Sequence, residues 1–179
     1  MTNVTVDIII DAPCEAVWDV VFDWTRQGEW ILGTKVSVAS GDGASQGSVI
    51  EAWSGVGKVG FLDTFVISVW DRARICEVVH TGNVVVGTGT FEFFELPNNR
   101  TRFVWAEDLE LPLGKLGQLG WPIAKPFFSF GVKKSLEKLA RLVESQTLGE
   151  GATQLLGSLA HRRDFVEAHI AWQEPHATV

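Results

Sequence analysis

The chain has 179 residues, of which 46% are apolar and 21% are charged, so it can form one domain with a sizeable core. Its formal net charge of −7 argues against a nucleic-acid-binding surface, which needs clustered Lys and Arg to displace counterions from phosphate. The densest basic spots, Lys133-Lys134 and Arg162-Arg163, are short and flanked by acidic residues, as expected of solvated helix faces.

The sequence also carries an expectation about location. No signal-peptide-like segment precedes the first predicted strand, and no apolar run is long enough for a membrane-spanning helix. We therefore expect a cytoplasmic protein in which Cys14 and Cys76 are reduced thiols. Cys14 lies where a helix N-terminus can activate a thiol, but the adjacent Glu15 opposes this, so we assign it no catalytic role.

The aromatic content is unusual, because eight Trp and eleven Phe accompany no Tyr. Aromatic rings bring a large apolar area at a low conformational cost. A well-filled core and an aromatic-lined cavity both fit this composition, and composition alone leaves the two open.

The first part of the chain predicts a strand followed by two short helices. Residues 3–10 alternate between apolar and polar, which is typical of a strand. Pro13 suits the first turn of a helix, with Asp11 as its N-cap. The apolar stripe of that helix is Ala16, Val17, Val20, Val21 and Trp24. A second short helix or turn is predicted over 27–31.

The middle of the chain predicts an antiparallel meander, because short strand-like segments alternate with Gly, Asn, Asp and Pro turn signals. The predicted strands cover about 35–39, 48–54, 58–70, 75–81, 84–96 and 101–111. Gly87 and Gly89 lie inside one of them and predict a bend or a bulge there.

A long helix is predicted after the meander. Its apolar stripe is Leu136, Leu139, Ala140 and Val143, and Pro122 and Pro126 kink or break the stretch before it. Residues 147–179 are looser and predict a linker, a marginal helix and a frayed tail. We therefore divide the chain into a domain over 1–146 and a C-terminal extension over 147–179.

Four local strings, together with this element order, resemble one superfamily. They are Ala12-Pro13-x-x-x-Val17-Trp18, Asp23-Trp24 through Glu29-Trp30, Val69-Trp70-Asp71, and Thr101 to Trp105. The superfamily includes START domains, polyketide cyclases/dehydrases and the birch-pollen-allergen fold. The chain looks most similar to the small bacterial polyketide-cyclase/dehydrase-like members, over about residues 3–146.

The resemblance implies an α+β helix-grip fold: a curved antiparallel sheet of six to seven strands around a long C-terminal helix, with two short helices after the first strand. It implies a cavity between sheet and helix that binds a hydrophobic small molecule, such as an aromatic polyketide-like compound or a lipid. The alternative is a cyclase or dehydratase that uses a cavity carboxylate or His as general acid or base. A third hypothesis is a partner-regulating protein, whose C-terminal extension binds another chain or a second copy of this one.

Three ionisable residues are candidates for chemistry in such a cavity. Asp63 and Glu107 share strand faces with apolar residues, and a carboxylate in an apolar cavity can transfer protons. His80 is the only central histidine and can exchange a proton near neutral pH. The alternatives are structural: the carboxylates lie at cavity mouths or pair with Arg72, Arg74 or Arg102, and His80 is a partly exposed turn residue.

Eight aromatic residues are candidates for ligand contact, with Trp30 expected at the cavity rim. They are Trp30, Trp53, Phe65, Phe91, Trp105, Trp121, Phe127 and Phe128. The His and Cys residues lack the spacing of a metal site, and no Gly-rich strand–turn–helix motif indicates a nucleotide, so we expect no cofactor.

Overall fold

The computed structural model describes residues 2–56, 59–82, 85–110, 126 and 129–154. The chain divides into two compact units, Met1–Glu144 and Ser145–Val179. Residues 145–154 of the second unit are helical. The glycine-rich stretch before the long helix and the predicted marginal helix and tail beyond residue 154 lie outside the described residues.

The first unit contains a seven-stranded antiparallel sheet. Its strands are β1 (Thr2–Ile10), β2 (Thr34–Ser40), β3 (Val49–Val56), β4 (Val59–Asp71), β5 (Ile75–Thr81), β6 (Val86–Leu96) and β7 (Arg100–Glu110). Their spatial order is β1-β7-β6-β5-β4-β3-β2, so the meander from β2 to β7 is continuous and β1 pairs with its last strand. This confirms the predicted meander.

Two short helical segments connect β1 to β2. Helix α1 spans Cys14–Val21, and a 3-10 helix spans Gln27–Glu29. Pro13 occupies the N-cap position without a side-chain cap, so the prediction that Asp11 caps this helix is wrong. Instead, the Asp11 backbone N–H donates to Glu144 Oε1 at 3.1 Å.

A long helix, α2, covers residues 129–154 among those described. Its predicted apolar stripe is buried, with Leu139 and Val143 at 0% exposure, and it belongs to the same core cluster as α1 and the inner face of the sheet. The sheet and this helix bury each other's apolar faces, which is the helix-grip arrangement.

Part of the core is an aromatic cluster next to α1. The Trp18 ring lies 4.4 Å from Phe22, 4.9 Å from Trp70 and 5.0 Å from Phe93, measured between ring centroids. Trp24 and Trp30 are also buried. Much of the aromatic content therefore fills the core.

The bulge that was one of the two predictions for Gly87 and Gly89 does not occur there. The ladders on both sides of Gly87 and Gly89 keep their register, whereas shifts occur between Val38 and Ser40 and between Ile67 and Val69. A bulge reverses which residues face inward. Trp70 accordingly packs against the core, although the alternation before the bulge predicts that Val69 does.

Candidate functional site

A cavity of about 430 Å³ lies between the inner face of the sheet, the chain segment after α1 and the first described turns of α2. Most of its wall is apolar. The apolar and aromatic lining residues are Trp24, Ile31, Leu32, Val36, Ala52, Phe61, Phe65, Val78, Val85, Phe91, Trp105, Leu109 and Val132. A volume of this size suits a small organic ligand.

Three ionisable side chains form a hydrogen-bonded cluster on the cavity wall. His80 Nδ1 lies 2.7 Å from Asp63 Oδ2, and His80 Nε2 lies 3.2 Å from Glu107 Oε2. His80, Asp63 and Glu107 are 9%, 7% and 8% exposed, respectively. We call Asp63, His80 and Glu107 the buried triad.

Strand alternation explains how the sequence builds the triad. Cys76, Val78 and His80 occupy alternate positions of β5 and are all buried, so His80 continues the inward face of its strand. Asp63 and Phe65 do the same in β4. Alternate residues of a strand face the same side of the sheet. Each polar side chain therefore faces the cavity together with the apolar residue two positions away.

Trp105 extends the triad by one hydrogen bond. Its Nε1–H donates to Glu107 Oε1 at 2.7 Å, and its ring lies 5.5 Å from the Phe91 ring. Both Glu107 oxygens therefore have a donor, one from His80 and one from Trp105. Asp63 differs, because its Oδ1 is buried and has no hydrogen-bond partner among the described residues.

The environment changes the pKa of His80. Burial alone lowers it, but hydrogen bonds and charge attraction from Asp63 and Glu107 outweigh burial and raise the pKa to about 9. At neutral pH the ring is thus an imidazolium whose two N–H groups donate to the two carboxylates. It is a source of a proton held inside an apolar cavity.

The triad is not arranged as a metal site. The carboxylates contact opposite nitrogens of one ring, so the donor atoms diverge instead of converging on one point. Within the described part of the chain, no group of three His, Cys, Asp or Glu side chains has the geometry to hold a metal ion.

The comparisons with known proteins agree with this architecture. The family model described as "Polyketide cyclase / dehydrase and lipid transport" matches residues 1–144. The chain belongs to this family. No curated protein sequence matches it.

Solved structures of the same fold include proteins from several bacteria. TTHA0849 from Thermus thermophilus has a TM-score of 0.69 and 18% identity, covering 81% of this chain and 99% of that one. The Zhui aromatase/cyclase from Streptomyces sp. R1128 has a TM-score of 0.66 and 19% identity, covering 82% and 95%. MLL2253 from Mesorhizobium loti has a TM-score of 0.59 and 15% identity, covering 80% and 98%. At these identities the likeness shows the fold.

The structure brings the three chemical candidates together, and it contradicts the arginine pairing of the carboxylates and the exposed turn position of His80. His80 is buried, because it belongs to β5 and precedes the turn. The arginines that were alternative partners of the carboxylates are engaged elsewhere: Arg72 pairs with Glu15 and Asp19, Arg74 with Asp71, and Arg102 with Asp7. The chemical role of the three candidates stays a prediction.

The aromatic candidates divide into three groups. Phe65, Phe91 and Trp105 line the cavity. Trp30 does not lie at the rim as expected; it is 0% exposed in the core, 6.1 Å from the Trp105 ring. Trp121, Phe127 and Phe128 lie outside the residues whose side chains are described.

Trp53 corrects a further expectation. Ala52 pairs with Asp63 and lines the cavity, so Trp53, the next residue of β3, faces the opposite side of the sheet. Its indole lies over Gly60 of the neighbouring strand, where a Cβ atom would come within 2.6 Å of the ring.

Several polar lining residues were not among the candidates. Thr34 Oγ1 and Ser54 Oγ lie 3.1 Å apart at a register pair of β2 and β3, and Gln27 Nε2 donates to the Val21 carbonyl at 2.7 Å. Ser135 Oγ accepts the Leu32 backbone N–H at 3.2 Å. The signal for Ser135 was its position four residues before Leu139, on the edge of the apolar stripe.

Among the described residues, no helix combines the length and hydropathy needed to cross a membrane.

Proposed function

We propose that the first unit binds a mainly apolar small molecule in the cavity, with the buried triad orienting its polar end. The observation that carries this proposal is the combination of an apolar wall with three ionisable groups confined to one region of it. Apolar burial supplies affinity, and a few placed polar groups supply orientation.

An aromatic, polyketide-like ligand suits the cavity better than a flexible lipid chain. Phe65, Phe91 and Trp105 present rings to the cavity, and aromatic rings prefer offset or edge-to-face contact with other rings. The likeness to the Zhui aromatase/cyclase supports the same class of molecule, whereas the family description names both polyketide cyclases and lipid transport.

Binding is tested with 1-naphthylmethanol, a neutral aromatic alcohol, by following tryptophan fluorescence and isothermal titration calorimetry. Ala52→Phe fills the cavity from β3 and is expected to abolish binding. Ala39→Phe adds the same ring at an exposed position of β2 and serves as the matched control. Saturable binding that survives Ala52→Phe but not Ala39→Phe would contradict a site in this cavity.

A second candidate function is proton-transfer catalysis on the bound molecule, as in a dehydratase or cyclase. It is favoured by one observation, the imidazolium held between two carboxylates on the cavity wall. In a dehydration, His80 would donate a proton to the departing hydroxyl as its C–O bond breaks. Glu107 or Asp63 would accept the proton from the adjacent carbon, so that water leaves and a double bond forms.

This candidate is tested by turnover of a β-hydroxy aryl ketone, followed by the absorbance of the conjugated enone. We expect Asp63→Asn, Glu107→Gln and His80→Ala to lower turnover about 100-fold or more, because general acid–base catalysis typically contributes that much. Naphthylmethanol binding checks that each variant still has its cavity. Full turnover in all three variants would remove the triad from the reaction and leave the binding function.

A further inference from the structure

The charge on the cavity wall is unbalanced. The buried triad contains two acidic side chains and one basic side chain, so it has an excess of one acidic group. The part of the wall that the structure describes contains no Lys or Arg to neutralise it. Arg102 on β7 and Arg72 just after β4 are exposed and paired with surface carboxylates: Arg102 lies 2.9 Å from Asp7, and Arg72 lies 2.6 Å from Asp19.

The hydrogen-bond donors of the triad itself are already used. Both His80 N–H groups point to carboxylates, the Trp105 indole N–H donates to Glu107, and the Trp24 indole N–H donates to the Gly43 carbonyl at 2.8 Å. Among the described residues, Asp63 Oδ1 also has no hydrogen-bond partner, so the triad presents acceptor oxygens and no free N–H. A ligand that reaches the triad must therefore supply the donor.

We propose that this cavity selects ligands whose polar end is a neutral hydrogen-bond donor or a cation, such as a hydroxyl or an amine, and rejects carboxylates. The inference rests on the proposed ligand-binding function and narrows its ligand class. The inferred preference admits neutral hydroxylated aromatic compounds and excludes fatty acids, although an apolar cavity alone would admit both.

The low polarity of the cavity strengthens the repulsion between the triad and a negatively charged ligand. Two like charges about 6 Å apart at an effective dielectric constant of about 20 repel enough to weaken binding roughly 100-fold. An apolar cavity without the triad would penalise anions and cations alike, because either charge loses its hydration. Weaker binding of the acid than of the amine is therefore the result that identifies the effect of the triad.

The test uses three probes that share one ring system: 1-naphthylmethanol, 1-naphthylmethylamine and 1-naphthoic acid. Their dissociation constants are measured at pH 7 by isothermal titration calorimetry on the full chain. We expect the amine to bind at least as tightly as the alcohol and the acid at least 100-fold more weakly than the amine.

Two variants assign this preference to the triad. Glu107→Gln removes one buried negative charge, and we expect it to reduce the acid-to-amine ratio of dissociation constants about tenfold or more. Glu110→Gln makes the same change at an exposed position three residues along β7 and is expected to leave the ratio unchanged.

The outcomes are distinguishable. If the alcohol binds but the acid binds as tightly as the amine, the charge inference is overturned and the binding function stands. A large ratio that is the same in Glu107→Gln as in the original chain would also overturn the assignment to the triad. If none of the probes binds, the alcohol included, the proposed function itself fails and the inference fails with it.

Discussion

His80 and Glu107 contact each other although their strands are not neighbours. His80 lies on β5 and Glu107 on β7, with β6 between them, yet their side chains meet at 3.2 Å. Strands that are two positions apart in a sheet are separated by about 10 Å. The two side chains can meet across β6 because this strand has glycine at both paired positions. Gly87 lies opposite His80 and Gly89 lies opposite Glu107, so no side chain of β6 separates them.

Gly89→Ala tests this relationship. A Cβ atom at position 89 would lie 3.1 Å from both Glu107 carboxylate oxygens and 3.0 Å from Val78 Cγ2. We expect Glu107 to move away from His80, so that the His80 pKa falls by about one unit as one carboxylate is lost. The measurement is an NMR titration of the His80 Cε1 proton, assigned by its loss in His80→Gln.

Gly149→Ala is the control for this titration. It lies in α2 with no atom within 4 Å of the added Cβ, so the His80 pKa should not change. An unaltered His80 pKa in Gly89→Ala would mean that the glycine does not keep the contact open.

The raised pKa of His80 predicts a pH-dependent stability. The folded-state pKa is about 9 against an ordinary value of 6.5, so the folded protein holds this proton more tightly than the unfolded chain does. The stabilisation that the protonated His80 ring provides is present in full below pH 6.5 and is lost as the pH rises through 9. The expected loss is on the order of 1–3 kcal/mol of the free energy of unfolding.

Urea unfolding at pH 6.5 and pH 9 measures this effect, with His80→Gln as the reference that lacks the titrating ring. The stability difference between the original chain and the variant should shrink from the lower to the higher pH. A difference that stays constant, or grows, would show that Asp63 and Glu107 do not hold the proton on His80.

Much of the fold follows from the alternation of residues. The meander, the boundaries of β5 and the buried stripe of α2 were predictable because each element has a clear period of 2 or 3.6. The inward direction of Asp63 and Glu107 followed from the same alternation. Trp70 was missed because a bulge reverses the alternation, and single-strand patterns do not show which residue is skipped.

The contact among side chains from β4, β5 and β7 was harder to predict. His80 precedes a Gly-Asn turn signal, and this local cue concealed that it continues the buried face of Cys76 and Val78. Gly87 and Gly89 predicted a bend or a bulge, whereas Gly89 leaves space for Val78 and Glu107 of the flanking strands. That function depends on register across three strands, which no single segment of sequence specifies.

The two cysteines should be inert in the folded protein. Cys76 is 0% exposed, and burial raises the pKa of its thiol to about 12. Cys14 is 5% exposed, with its Sγ 3.5 Å from Thr101 Oγ1. We expect 5,5′-dithiobis(2-nitrobenzoic acid) to label neither thiol in the native state and both in urea. Rapid labelling of one thiol without urea would reveal local opening near that residue.

Leu139→Ala tests the packing of α2 against the sheet. Leu139 is 0% exposed and belongs to the core cluster that joins the helix to α1 and the sheet. Truncation leaves a cavity, and we expect a loss of about 2–5 kcal/mol in the free energy of unfolding. Leu148→Ala is the matched control: its side chain is 75% exposed, so its effect should stay within about 0.5 kcal/mol. Urea unfolding at pH 7 measures both variants. Equal effects would show that burial of the 136–143 stripe does not hold α2 in the core.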